Sequence, residues 1–400
     1  MKSIGVFWKS FQDQEDLCQT CPQGKDKKIS PNRNLFVDKE FEFQINLWNT
    51  EVINIVNRHQ FRFRAIDFGV VCPLVTQQLV FLLPFRVADS DFYDLVKCLS
   101  LDADLLCSVF NEDLKSTSEP AKSYHKIEGS SIRYLMYELS KENIESFDYD
   151  EKSNVTRMLI KINTKFSPEE FQGYQLFVRF RLMLKSFDSF AKKKMVSNDW
   201  LQSAFSSTYL FDIRLNDVRE LAKKKKELVE YNGFSLPKFK KIHFFYMADS
   251  EENVENGSSV KLDKRLLEKE RWHSYLGKNL EFVSENIAHH WKAIKKYTLK
   301  VKEESDVIDA KKSKYKYEPV ETTIQNFTLF FKTEFSDYQF NRLLFYVSII
   351  VILGIFASAI VSLINCFMPK DLTNERGIWI IIVACIALLV WYILRKSNDR

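Results

Sequence analysis

Phe41-Glu42-Phe43-Gln44-Ile45-Asn46-Leu47-Trp48 carries apolar residues at every odd position. Successive side chains of a strand point to opposite faces, so this alternation predicts a strand with one buried face. The same period of two marks Phe61-Arg62-Phe63-Arg64-Ala65. The stretch 79–85 is a continuous apolar run instead, which suits a central strand covered on both sides. Further candidate strands are 132–139, 158–162, 176–184, 209–215 and 242–247. Together they argue for one or two antiparallel sheets with helices interspersed, an α+β class.

Helical spacing marks the segments between. Ser90 or Asp91 is placed to cap a helix running toward Leu106. The stretch 218–231 reads as a helix with Leu221, Leu228 and Val229 inward and the lysines 223–226 outward. The segment 249–259 is polar and acidic around Gly257 and reads as an internal boundary. Beyond it, Leu280, Val283, Ile287, Trp291 and Ile294 keep helical spacing, with Lys292, Lys295, Lys296 and Lys300 nearby. That pattern fits a helix facing a domain core or, with its basic flanks, a membrane surface. The highly charged 302–317 reads as an extended neck.

The chain has 58 Lys and Arg against 53 Asp and Glu, a net charge of +5. So small an excess gives no bulk reason to expect a nucleic-acid partner. Local clusters at 192–194 and 223–226, with Phe187, Phe190 and Tyr231 near them, can contact nucleic acid, acidic headgroups or an acidic partner. A solvated helix face is the plainer reading. Phe is abundant (34) and Gly scarce (10), as a packed, strand-rich core requires. Lys9 interrupts the apolar run after Ile4, so the first residues do not read as a signal peptide, and the large domain is expected in the cytosol. Cys72, Cys98 and Cys107 lie in apolar contexts and read as reduced, buried thiols.

Two charge-free stretches close the chain, 343–367 and 377–394. At about 1.5 Å per residue they give helices of roughly 37 and 27 Å, against a hydrocarbon core of about 30 Å. They are expected to form a C-terminal transmembrane hairpin. Arg395, Lys396 and Arg400 after it, and Lys332 and Arg342 before it, favour both ends inside. The expected localisation is therefore the inner membrane, multi-pass, with the N-terminal domain and the tail cytoplasmic. Trp379, Trp391 and Tyr392 sit toward the span ends as interface anchors. Gly354, Ser358, Ser362 and Asn365 share one face of the first span. Such a stripe serves self-association or a pore, or else packing against the second span at Ala384 and Ala387. The domains read as 1–248 strand-rich, 249–341 helical and charged, then the spans 343–367 and 377–394.

Motifs for chemistry are sparse. No Gly-x-Gly-x-x-Gly, Gly-x-x-x-x-Gly-Lys, Gly-x-Ser-x-Gly or His-Glu-x-x-His occurs. Cys18-Gln-Thr-Cys21 has the spacing of half a zinc site or of a redox pair, but no second pair follows and no thioredoxin-type pattern surrounds it. Glu285 and His289, four apart on the expected helix, share a face with His290 beside them, most simply as a surface pair. His59, His125, His243 and His273 are scattered. No catalytic, cofactor-binding or metal residue is assigned, and no enzyme is expected.

The two stretches 343–367 and 377–394, in a Lys-, Phe- and Asn-rich chain, resemble the layout of two-transmembrane effectors of bacterial antiphage systems of the retron-associated type. The resemblance implies a membrane-acting effector. A cytosolic sensing domain, controlled by a partner ribonucleoprotein or protein regulator, would drive a hairpin that perturbs the bilayer and aborts infection. A second copy of the chain is a further implied partner. The alternative is a tethered binding scaffold that recruits a protein or nucleic acid, with the hairpin as an anchor.

Overall fold

The computed structural model describes residues 3–11, 40–118, 122–167, 169–194, 206–277, 279–302, 316–322, 324, 326–336 and 340–367. Its first strands are β1 (Gly5–Ser10), β2 (Glu40–Asn54), β3 (His59–Cys72), β4 (Thr76–Leu83), β5 (Phe92–Asp94), β6 (Lys115–Ser118) and β7 (Tyr124–Glu128). Then come β8 (Arg133–Tyr137), β9 (Ile144–Asp150), β10 (Val155–Lys161), β11 (Gln175–Met183), β12 (Ala191–Lys194), β13 (Ser206–Leu215) and β14 (Lys238–Asp249). The remaining strands are β15 (Asn253–Asn256), β16 (Leu262–Leu267), β17 (Leu280–Phe282), β18 (Asn286–Ile294), β19 (Lys296–Lys302), β20 (Lys316–Thr322) and β21 (Phe327–Ser336). The α-helices are α1 (Val96–Leu101), α2 (Ala103–Phe110), α3 (Val218–Lys226), α4 (Lys269–Leu276) and α5 (Phe340–Phe367). Two units emerge, one of 1–192 with 210–333 and one of 193–209 with 334–400.

An 11-stranded sheet organises the first unit, in the order β16-β18-β14-β2-β3-β11-β8-β7-β6 with β17 on β2 and β5 on β11. Most pairs are antiparallel, but β14 runs parallel to β2 and β8 parallel to β11. A 4-stranded sheet, β1-β4-β10-β9, covers one face. Phe81 of β4 meets Phe43, Phe68 and Phe180 of the large sheet there. The other face of β4, with Val80 and Leu82, packs under Leu221 of α3 and Leu228. On the far face of the large sheet, α1, α2 and α4 bury Leu99, Leu105, Leu106, Trp272 and Tyr275 against Trp48, Ala65 and Met247. Two aromatic-rich interfaces, one on each face of a single sheet, account for the abundance of Phe.

Every strand read from alternation or an apolar run is a strand in the structure, which is a strand-rich α+β fold. The helices needed more correction. The expected helix toward Leu106 is two short ones, α1 and α2, and its cap is Asp102, whose carboxylate accepts from the Leu105 N–H at 3.0 Å. Helix 218–231 is α3 followed by a π turn at Glu227–Tyr231. The wider turn shifts the register, so Leu228 is buried while Val229 is 36% exposed. The segment with helical spacing from Leu280 is not a helix: it forms β17 and β18, and β18 pairs with β14 along its whole length. Both faces of β18 carry buried residues, which hid the period of two, and the tertiary pairing overrides the local spacing.

The acidic stretch 249–259 falls inside the first unit. Asp249 accepts from Thr50 Oγ1 at 2.8 Å and pairs with Arg62 at 3.2 Å. Glu252 is buried and accepts from Tyr246 Oη at 2.5 Å and Asn49 Nδ2 at 3.1 Å. Burial pushes its carboxyl up to about 7 against those hydrogen bonds. The folded chain then keeps a proton that the unfolded chain releases near the usual carboxylate value. Stability contributed by this group is present at low pH and is lost as pH rises through about 7. Asp94, also pushed to about 7 by burial, adds a slope of the same sign. Glu252→Gln should therefore remove about 1 kcal/mol per pH unit from the fall in stability across the range from about pH 5 to 7. Urea titrations at several pH values read this as a difference from the parent, and parallel profiles would exclude it.

The C-terminal expectation is corrected. α5 takes in the first apolar stretch, and its described side chains run unbroken over 346–362. A span needs about 20 residues. Among the described residues no helix is long and apolar enough to cross a membrane. The membrane, multi-pass and inner-membrane assignments are not carried forward. Gly354, Ser358 and Ser362 are exposed on α5, and a Cβ at Gly354 would meet nothing within 4 Å. Asn365 belongs to α5, but its side chain lies outside the described residues, as do 377–394 with Trp379, Trp391 and Tyr392.

Candidate functional site

The helix-covered face of the large sheet is polar in its middle. There Glu42, Gln44, Asn46 and Trp48 of β2 alternate with the buried apolar set. Register sets Asp67 of β3 opposite Asn46, and Arg181 of β11 opposite Asp67. The Arg181 guanidinium grips Asp67 with two bonds, Nε to Oδ1 at 2.7 Å and Nη2 to Oδ2 at 3.0 Å. Trp48 Nε1 (2.7 Å) and Tyr275 Oη (2.8 Å) donate to the same Oδ2. Burial works against the Arg181 charge, but the attraction and hydrogen bonds of Asp67 outweigh it and leave its pKa above the ordinary value. Burial also pushes the Tyr275 phenol up, so it stays protonated as a donor.

Tyr275 also accepts from Arg179 Nε at 2.8 Å, and Arg179 Nη1 donates to Gln44 Oε1 at 2.7 Å. Arg179 lies across Gly69 of β3, where a Cβ would come within 3.2 Å of its Nη1. A side chain there would push the guanidinium back by a few tenths of an ångström. Arg179 is 1% exposed, and no carboxylate pairs with it among the described residues. The network thus holds two buried guanidinium cations against one carboxylate.

A cleft of about 1040 Å³ opens on this floor. Its lining includes Glu42, Gln44, Asn46 and Arg179, with His243 and Phe245 of β14 and His290 and Lys292 of β18. Trp272 of α4, the end of α2 and the 171–175 loop form other walls. A bulge at Lys240 places two lysines beside one acid: Glu42 meets Lys240 at 3.2 Å and Lys241 at 3.3 Å. The other two acids of the lining are also engaged. Asp263 pairs with Lys261 at 2.8 Å, and Glu112 accepts from the Ser131 N–H at 2.6 Å. By contrast Arg133, Arg179, Arg265 and Lys292 line the cleft with no carboxylate partner among the described residues, while Lys264 stands opposite His289. Trp272 Nε1 is buried without a hydrogen-bond partner there.

Apart from His243, His290 and Lys292, the residues singled out from the sequence lie elsewhere. Cys18 and Cys21 are outside the described residues. Glu285 and His289 do not meet: four residues of strand span about 13 Å, and Glu285 pairs with Lys269 at 3.1 Å. His289 is buried in β18, and neither ring nitrogen has a partner among the described residues. The 223–226 lysines end α3, where cations complement the helix dipole, and Lys224 meets Asp150 at 3.4 Å. The 192–194 lysines all lie in β12. Cys72, Cys98 and Cys107 are free thiols, and burial pushes Cys72 up to about 12 and Cys98 up to about 11. Of the three in the cleft, the fold brings His243 to His290, with Nδ1 and Nε2 3.0 Å apart. Among the described residues, no group of three or more His, Cys, Asp and Glu is placed to hold a metal ion. No protein-family model and no curated protein matches the chain.

Proposed function

We propose that the strand-rich unit is a binding module whose cleft docks a phosphate-bearing polyanion, rather than a catalyst. The observation that carries this reading is the charge inventory of the cleft. Its acids are already engaged, while four cations on β8, β11, β16 and β18 have no carboxylate partner among the described residues. Arg179 supports it from below, as a fixed buried cation in the floor. A concave site with low-dielectric walls focuses such a field more than a flat surface would. Phosphates on a ribonucleoprotein supply the matching chemistry, which fits the docking half of the effector reading.

The test is titration of the full chain with inorganic polyphosphate over a salt series. The logarithm of affinity should fall linearly with the logarithm of salt, by about 0.7 for each phosphate neutralised. Arg265 and Lys292 are exposed, and Arg265 makes one long bond, to Ser108 O at 3.5 Å. Arg265→Ala with Lys292→Ala should reduce that slope by about 1.4 while thermal unfolding stays unchanged. A double variant with the parent slope would sink the cleft as the docking site.

A further inference from the structure

His243, Phe245 and His290 form a flat aromatic surface in the cleft wall. His243 and Phe245 are alternate residues of β14, so they project on one face, and His290 stands directly opposite Phe245 on β18. The three ring planes agree within 7°. Phe245 and His290 make face contact at 4.2 Å between centroids. The two imidazoles are 5.2 Å apart, too far for face contact. Their 3.0 Å N–N approach instead joins them edge to edge, one nitrogen donating and the other accepting. The result is a plate two rings wide, backed at His290 by Phe245, and all three side chains are half-buried.

Cations rim this plate. Lys292 lies opposite His243, Lys241 is two residues from it along β14, and Arg265 is two residues along β16 from Asp263, the residue opposite His290, and so on the same face. Burial and the neighbouring lysines hold His243 down to about 3, and burial lowers His290 as well. Both rings are therefore uncharged at neutral pH. The imidazoles supply planar area while the lysines supply charge.

A simple anion has no use for a flat, uncharged plate. A strand of nucleic acid uses both features, stacking an unpaired base on the rings and laying its phosphates along the cations. A duplex keeps its bases stacked on one another and cannot offer one. We propose that the plate of His243, Phe245 and His290 is a stacking shelf for a nucleobase, and that the ligand of the cleft is a single-stranded nucleic acid. This rests on the polyanion-docking reading and adds base recognition to it.

Fluorescence polarisation of the full chain tests it with three labelled probes: a single-stranded oligonucleotide of about 12 nucleotides, an abasic sugar-phosphate strand of equal length, and a duplex of that length. The base-bearing single strand should bind about tenfold more tightly than the other two. Phe245→Leu should lower its affinity about tenfold and leave the abasic strand within about twofold. A 2-aminopurine in the strand should be quenched on binding to the unaltered chain, a readout that does not depend on the variant folding. Equal affinity for the base-bearing and abasic strands, or an unquenched 2-aminopurine, overturns the shelf and leaves polyanion docking standing. Failure of all three probes to bind overturns both.

Discussion

Asp67→Ala is expected to lower the unfolding free energy by about 3–5 kcal/mol, the usual cost of breaking a buried ion pair from one side. The effect exceeds the loss of one pair because, among the described residues, Asp67 is the only carboxylate bonded within this network. Without it, Arg181 keeps its charge with two backbone carbonyls for company, those of Tyr275 (3.0 Å) and Leu276 (3.4 Å). Arg179 remains beside it, also buried. Trp48 Nε1 and Tyr275 Oη lose their acceptor. A buried donor left without an acceptor costs about 1–3 kcal/mol by itself. Asp67→Asn should fall between, since an amide oxygen can still accept while the charge is gone. Asp67→Ala with Arg181→Met should be less destabilised than Asp67→Ala alone, because the second change removes the stranded cation. Urea unfolding with an unchanged slope is the measurement. A loss below about 1 kcal/mol for Asp67→Ala, or a double variant worse than the sum of the singles, would mean that water reaches this network.

The network also shows what the sequence could not reveal. Alternation over 41–48 marks β2 as a strand and marks Phe43, Ile45 and Leu47 as core. It assigns the even positions to solvent, since a polar row on a strand ordinarily faces water. Here that row is covered too: Glu42 is 7% and Asn46 3% exposed. A row of polar residues under helices has to find partners, and those partners are distant in sequence. Arg179 is 135 residues from Gln44, and Arg181 is 114 from Asp67. No local period encodes such pairings. They follow from the strand order and from β14 running parallel to β2, which one sequence does not state.

The cleft was hidden for the same reason, and misreading β18 as a helix added to it. On a helix, His289 and His290 point about 100° apart and Glu285 lies one turn below His289. On the strand the two histidines point to opposite faces, His289 into the core and His290 into the cleft. The sequence signal available was the alternation of Lys241, His243 and Phe245 after the bulge at Lys240. The bulge breaks the period there, so the polar row of β14 does not continue in phase from Lys238. The charge clusters that stood out, 192–194 and 223–226, are runs along the chain. The cations of the cleft are single residues on separate strands, assembled by register.

Phe81→Ala is expected to cost about 3–5 kcal/mol, the other large stability effect. Phe81 is 0% exposed and stands at the junction of the two sheets. Its ring lies 5.2 Å from Phe180 at 88°, 5.5 Å from Phe68 and 6.3 Å from Phe43, so it touches three strands of the large sheet from β4. Truncation loses the transfer free energy of the ring and leaves a cavity walled by three other rings. Those rings are held by paired strands, with Phe68 opposite both Ile45 and Phe180, so they cannot collapse into the space. Phe81→Leu fills part of it and should cost about half as much. Val56, 74% exposed at the β2–β3 turn, is the comparison: Val56→Ala should stay within about 0.5 kcal/mol. Polyphosphate affinity should be unchanged in Phe81→Ala wherever the chain is folded. Phe81 lies on the face of the large sheet away from the cleft, and distant sites with no shared partners act independently. Loss of binding in a folded Phe81→Ala chain would mean that the two faces of the sheet are coupled, and that docking depends on the sandwich as well as on the cations above it.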